Sequence, residues 1–353
     1  MQPGMCNYRR VADLDSHLSH TSRVDERSGP SPTPGEPELL VDWAPAYELL
    51  ISLWTFVSFR LHALLELGPT WVRDVQSRLP SELAARLSRK NVATAIKHED
   101  DLLTLLVRAC PGERDARGFL DWFASLTPGA AYEALYPLLA ESGPRLPRDF
   151  SAWRDRVLEI LAAWDQAYFQ HIDPEILRGL RAHAVALSAR ASSEPARDLV
   201  EEVTNGILME PTPDLRSVTL VPQYHERPYN HDAAGLGGPI VLYPADVLAT
   251  PAAVPPSGLV RLTRALSDES RLRILRFVAD GPCTLTEVAR FIGLSQPTVH
   301  HHLVQLRAAG LVRVHFVMAS PSRYSLRPHA LEQLSGQLGA YLQAPAPGKE
   351  TQT

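Results

Sequence analysis

The sequence predicts a mainly α-helical protein: a helical N-terminal domain with a short β-hairpin or β-arm, then a compact C-terminal group of helices closed by a second hairpin. Three observations point there. Apolar residues recur at three- and four-residue steps from Leu39 to about Gly206. That period disappears between about Arg216 and Pro256, where Pro222, Pro228, Pro239, Pro244, Pro251, Pro255 and Pro256 punctuate the chain. It returns from Ser257 together with a reversal in the sign of the charge.

Residues 1–37 read as a disordered tail, polar and without periodicity, ending in the proline-rich run Gly29–Pro37. Residues 344–353 read as a second tail. From 38 to 210 the pattern is that of a helical assembly or sensor domain. Trp43, Tyr47, Leu50, Ile51, Trp54, Val57, Leu61, Leu64 and Leu65 predict one long helix stopped by Gly68-Pro69. Leu102 to Val107, Phe119 to Phe123, Tyr132 to Leu138, Phe150 to Tyr168 and Ile176 onward predict more helices. Residues 211–256 read as a β-arm and linker, with Val218–Pro222 as one strand and Pro239–Tyr243 as its partner, then a semi-rigid proline-rich segment.

A chain of 353 residues, 45% of them hydrophobic, can build two domains with cores. No run approaches the ~20 apolar residues of a membrane span. The longest candidate, Leu49 to Leu67, is broken by Ser52, Ser58, Arg60, His62 and Glu66. No apolar stretch follows Arg9 and Arg10, so neither a secretory signal nor a membrane partner is expected. Cys6, Cys110 and Cys283 are odd in number and far apart, as in a reducing, cytoplasmic compartment.

Residues 257–343 spell out a winged helix-turn-helix. Leu262, Ala265 and Leu266 form one stripe, and Leu272, Ile274, Leu275 and Val278 another. Thr284 followed by Glu287 is a capping box opening Leu285–Ile292. Gly293 supplies the turn, Ser295 the next N-cap, and Pro297 sits in the first turn, where no N–H is missed. Val299, Leu303 and Leu306 face inward, Gly310 ends the helix, and Leu311–Val317 with Arg323–Leu326 make the wing about a tip at Met318–Ser322. Gln296, Thr298, His300 and His301 are left facing out, suited to a major groove, with Ser295 within reach of a phosphate. Arg313 and Arg323 are expected to hold the wing on phosphate.

Charge agrees with that reading. Between Ser257 and Ala330 lie ten Arg and no Lys, against Asp268, Glu269, Asp280 and Glu287, a net of +6. With the whole chain at −5, the remainder carries −11, so one part of the chain is suited to nucleic acid and the rest is not.

Ala265–Leu275 resembles the opening signature of ArsR-type bacterial transcription regulators, as do Leu294-Ser295-Gln296-Pro297-Thr298-Val299, His302-Leu303, Leu306-Arg307 and Gly310-Leu311-Val312. The resemblance covers about residues 258–342. It implies sequence-specific binding of double-stranded operator DNA, as a homodimer and as a repressor. In that family the final helices pair across the dimer, and Leu331, Leu334 and Leu338 are the residues that would do so here.

Other chemistry is weighed against this. The family's thiolate metal site falls here on Thr284 and Thr286, poor ligands for soft metals, with Cys283 alone beside them; a second family site would leave only His329 and Glu332 on the final helix. His300, His301 and His302 are ~100° apart around a helix and cannot converge on one ion. His225–His231 reads as polar loop residues after a strand, with ligand contact as the alternative. Gly235–Gly238 is a turn, followed by Pro239 and no helix. No nucleophile–base pattern is legible, so an enzyme, a metal and a cofactor are not expected. Trp43, Trp54, Trp71, Trp122, Trp153 and Trp164 read first as core, and second as the lining of a pocket for a small-molecule effector. The alternatives to a regulator are a small-molecule-binding or enzymatic helical domain tethered to DNA, and a non-specific DNA-binding adaptor.

Overall fold

The computed structural model describes residues 36–59, 61–88, 100–139, 144–248, 254–317 and 321–343. The expected tails, apart from Glu36 and Pro37, and the wing-tip residues Met318, Ala319 and Ser320 lie outside them. The chain divides into two compact units, each built from separated stretches. Pro37–Ser193 and Arg216–Leu248 form one; Glu194–Leu215 and the described residues from 254 onward form the other. These are not the bounds expected from the sequence.

The first unit is called the N-terminal unit here. Its helices are α1 (Pro45–Val57), α2 (Gly68–Arg78), α3 (Ser81–Leu87), α4 (Asp100–Ala109), α5 (Ala116–Ser125), α6 (Pro128–Leu135), α7 (Phe150–Ala167) and α8 (Pro174–Ala191). Asp115, Thr127, Asp149 and Asp173 cap α5 to α8 by accepting an early helical N–H, and Pro stands in the first turn of α6 and α8. Every residue of α1 from Ala46 to Val57 is buried, which makes it the central helix. It stops at Val57, short of the long helix the apolar spacing predicts. There the Ser58 hydroxyl turns back to the Trp54 carbonyl at 2.5 Å, and the chain enters turns.

The segment expected as an arm and linker is instead the heart of this unit. β1 (Glu38–Val41), β3 (Ser217–Gln223), β4 (His231–Gly235) and β5 (Gly238–Pro244) form a sheet in the order β1-β3-β5-β4. The expected hairpin partners, β3 and β5, are parallel, from Thr219↔Ile240 to Gln223↔Pro244. The hairpin is made by β4 and β5, and β1 joins β3 in parallel from the far end of the sequence. Residues Val218 to Gln223 are buried without alternation, as a strand covered on both faces must be. Trp153, Trp164, Phe119 and Phe123 fill the core, with Trp164 Nε1 donating to Ser52 Oγ at 3.0 Å.

Asp42, after β1, is 8% exposed and accepts from Arg114 at 2.6 and 2.9 Å and from Tyr47 Oη at 2.8 Å, with Arg108 at 3.0 Å. Burial alone would raise its pKa, but the Arg114 hydrogen bonds and charge, with Tyr47 and Arg108, hold it far below the carboxylate range.

The second unit contains α9 (Ala196–Val203) and β2 (Ile207–Met209), then α10 (Ser257–Leu266), α11 (Glu269–Val278), β6 (Cys283–Thr284), α12 (Leu285–Ile292), α13 (Gln296–Ala308), β7 (Val312–Phe316), β8 (Arg323–Leu326) and α14 (Ala330–Gln343). Its sheet runs β2-β7-β8-β6. The wing hairpin is antiparallel, with Arg313 opposite Ser325 and His315 opposite Arg323. β2 lies parallel on its outer edge, Ile207 beside Val314 and Met209 beside Phe316. A Cβ on Gly206 (φ +116°) would sit 2.7 Å from the Val312 carbonyl, so this close approach needs a glycine. Among the described residues the fold is thus helix-rich but carries two four-stranded sheets, more β-structure than a mainly α reading implies.

Candidate nucleic-acid interface

The interface is built on two capped helices. Thr284 and Glu287 form the full capping box of α12: Glu287 N–H donates to Thr284 Oγ1 at 3.3 Å, and Thr284 N–H to Glu287 Oε2 at 2.7 Å. Gly293 takes φ +78° and turns the chain into α13. Ser295 caps α13 by accepting the Thr298 N–H at 3.4 Å, and the two hydroxyls are 2.8 Å apart. Gln296 Nε2 donates to Thr286 Oγ1 at 3.1 Å, so α12 orients the first side chain of α13. The far end of α13 carries a Schellman motif: Leu311 N–H donates to Leu306 O at 2.9 Å and Gly310 N–H to Arg307 O at 2.7 Å, with Gly310 at φ +72°.

Burial divides α13 sharply. Leu294, Ser295, Gln296, Pro297 and Thr298 are all exposed, while Val299, Leu303 and Leu306 are 0–1% exposed. This gives a dry face and an exposed first turn of small hydrogen-bonding groups, the arrangement expected of a recognition helix at the end that meets base edges.

Of the residues expected at the interface, Ser295, Gln296 and Thr298 are brought together on that exposed turn. His300 is a correction: it is 5% exposed rather than outward. It lies on one face with Val304 and Arg307, four and seven residues on, and both of those are buried too. His301 is half-buried, with Nε2 accepting from Gln305 Nε2 at 2.6 Å; Gln305 in turn accepts from Arg271. Burial, then His302 and Arg271, hold His301 below the usual histidine pKa. His302 is shifted the same way, by burial and Arg271 against the pull of Asp268.

The two wing arginines part company. Arg323 is exposed at the start of β8. Arg313 is corrected: it is not turned out for phosphate but paired with Glu201 of α9, Nε to Oε1 at 2.9 Å and a terminal nitrogen to Oε2 at 2.8 Å. No local pattern announces a carboxylate that arrives 112 residues earlier in the chain. Sequence reasoning also passed over Thr286, which holds Gln296, and over Arg290, exposed on α12. The threonine had been considered only as a metal position, and the arginine only within the net charge.

The residues weighed for metal come together at most in pairs. Cys283 is buried, and burial pushes its thiol up to about 11, while His329 pairs with Glu332 at 2.8 Å on an exposed helix start. Among the described residues no three His, Cys, Asp or Glu gather as a metal site. His225–His231 is not an outlying polar loop. His225 is 1% exposed, its Nδ1 meets Glu48, and its Nε2 meets Tyr168 Oη at 2.7 Å. No helix of the described residues is long and apolar enough to cross a membrane.

A family described as "Helix-turn-helix domain" matches residues 266–315. Over 82 residues the chain is 40% identical to the HTH-type transcriptional regulator CmtR of Mycobacterium bovis and of Mycobacterium tuberculosis, which covers 23% of this chain and 69% of theirs. The chain belongs to the HTH-type transcriptional regulators. The resemblance to the ArsR type, carried by Ala265–Leu275 and Leu294–Val312, is borne out over this quarter of the chain. No solved structure matches.

Proposed function

We propose that this DNA-binding regulator is a sequence-specific repressor that binds a palindromic operator as a cytoplasmic homodimer, without catalysis and without a cofactor. The observation that carries the reading is the exposed, capped start of α13, where Ser295, Gln296 and Thr298 project from a helix whose other face is dry. Gln is suited to adenine, and Thr to a hydrogen bond or a thymine methyl. Exposed Arg273, Arg276, Arg290 and Arg323 supply cations for phosphate, which position the helix but do not select sequence.

Dimerisation is supported by α14, which leaves Leu331, Leu338 and Leu342 exposed at 62, 40 and 70% along one short helix, whereas Leu334, also expected to pair, packs against the core of its own unit. Two half-sites about one helical turn apart then match a two-fold protein. The N-terminal unit, with its own core and sheet, is read as the sensor of a small-molecule effector.

Selection from a random duplex library, with light scattering on the free protein, tests this. A selected inverted repeat and a mass twice the 39.0 kDa chain are expected. A monomer, or a library emerging without a consensus, overturns the dimeric sequence-specific reading and leaves a non-specific binder.

A further inference from the structure

The wing carries a feature the helix-turn-helix itself does not require. α9 and β2, from a stretch more than forty residues ahead of α10, are part of the DNA-binding unit. β2 extends the wing sheet, and Asn205, at the turn between α9 and β2, reaches the end of the recognition helix. Its Nδ2 donates to Ala308 O at 2.9 Å and Arg307 O at 3.3 Å, and its Oδ1 accepts from Arg327 at 2.8 Å. Glu201 of α9 is held by two arginines that differ in kind. Arg327, 9% exposed at its side chain, anchors it at 3.4 Å; Arg313, 22% exposed, lies on the wing strand in a two-point pair.

We propose that segment Glu194–Leu215 is a strap that sets DNA affinity, with Glu201 competing against DNA phosphate for Arg313. This rests on the DNA-binding reading above. While Glu201 is in place, the wing presents one cation fewer than its sequence offers. Arg313 is the releasable partner, because Arg327 continues to compensate the carboxylate when Arg313 leaves. A guanidinium bound in two-point fashion to a carboxylate suits a phosphate equally well, so the exchange replaces one charge-assisted pair by another.

The strap is also placed to be moved. The chain leaves the N-terminal unit at Ser193, just after α8, and returns at Arg216, whose N–H is pinned to Gly237 O at 2.6 Å in the turn of the β4–β5 hairpin. Both of its ends therefore continue into elements of the N-terminal unit, so a rearrangement of α8 or β3 is transmitted to Glu201 through the backbone itself.

The test is salt-dependent binding of the full chain to a fluorescein-labelled random-sequence duplex. Glu201→Gln frees Arg313, so the slope of log affinity against log salt steepens by about one, and binding tightens about tenfold near 0.1 M salt. Arg313→Ala alone leaves the wild-type slope unchanged, and the double variant returns to it. Arg313→Ala removes a partly exposed side chain, so its slope can still overturn the proposal even if Glu201→Gln fails to fold. A slope shallower by one in Arg313→Ala shows that Arg313 already meets phosphate and overturns the proposal while leaving DNA binding intact. A wild-type chain that binds no duplex at any salt overturns both.

Discussion

The two sheets of this protein share one feature, a parallel strand from a distant part of the chain, which is legible in the sequence of neither. Each contains a local antiparallel pair, β4–β5 in the N-terminal unit and β7–β8 in the wing, and each is extended by a parallel edge strand delivered from far away, β1 onto β3 and β2 onto β7. The wing strand β7 alternates buried and partly exposed residues, because one face is core and the other meets Glu201 and Glu210. β3 is buried on both faces and does not alternate. A sheet's signature thus depends on what covers it, more than on how it pairs.

All six tryptophans lie in the N-terminal unit, so tryptophan fluorescence reports that unit and DNA binding reports the other. This separation allows the comparison to be broken unit by unit. The largest effect is expected from Glu48→Ala. Glu48 is 2% exposed and accepts from the amides of Tyr224 and His225 and from the His225 ring. Stranding those buried donors should cost about 3–5 kcal/mol. The midpoint of tryptophan-monitored urea unfolding should drop accordingly; an unmoved midpoint would mean the network is not part of the cooperative core.

Next comes Gly310→Ala in the DNA-binding unit. Gly310 has φ +72°, and an added Cβ would stand 2.6 Å from Asn205 Oδ1. Strain and a displaced Asn205 together should cost about 1–3 kcal/mol. DNA affinity and far-ultraviolet melting should register the loss while tryptophan-monitored unfolding stays put. If both probes shift together, the two units unfold as one.

Gln296→Ala should leave both melts unchanged. It should cost about 1–3 kcal/mol at a single base position, seen as a relaxed column in a selected binding motif. An identical motif would place base reading elsewhere on α13.

The smallest effect is a difference in acid sensitivity. His301 and His302 have folded pKa values below their unfolded ones, so their contribution is intact above about 6.5 and is lost as pH falls toward the lowered values. Asp42 is also depressed, so its contribution holds until pH falls below about 4, the unfolded carboxylate value. On acidification the DNA-binding unit should weaken first, and the tryptophan signal should follow at lower pH. The reverse order would remove these groups as the cause.

The sequence made the DNA-binding half legible because its signals are local. A cap, a glycine at positive φ and an apolar spacing each act within a few residues, and Thr284, Gly293, Ser295 and Gly310 all stand where such rules put them. The misplacements came from distance. His300 was assigned outward by its polarity, yet it shares a face with buried Val304 and Arg307. Arg313 looked like a phosphate contact until its partner was found 112 residues upstream. In the N-terminal unit the helices were visible by period, but Pro211 to Pro256 read as linker because prolines and glycines dominate its turns, while its strands pair with residues as remote as Glu38–Val41.

The interleaving of the two units also has a consequence during synthesis. A ribosome releases β2 about a hundred residues before β7, so the wing's edge strand is made before β3, β4 and β5 and long before its own partner. A gene fragment starting at Ser257 would encode every helix of the helix-turn-helix and still leave β7 with a bare row of amide and carbonyl groups. Such an edge is a template for a second molecule. The natural boundary of the DNA reader therefore lies inside another domain, and cutting the gene where the motif begins would be expected to yield a self-associating product instead of a minimal regulator.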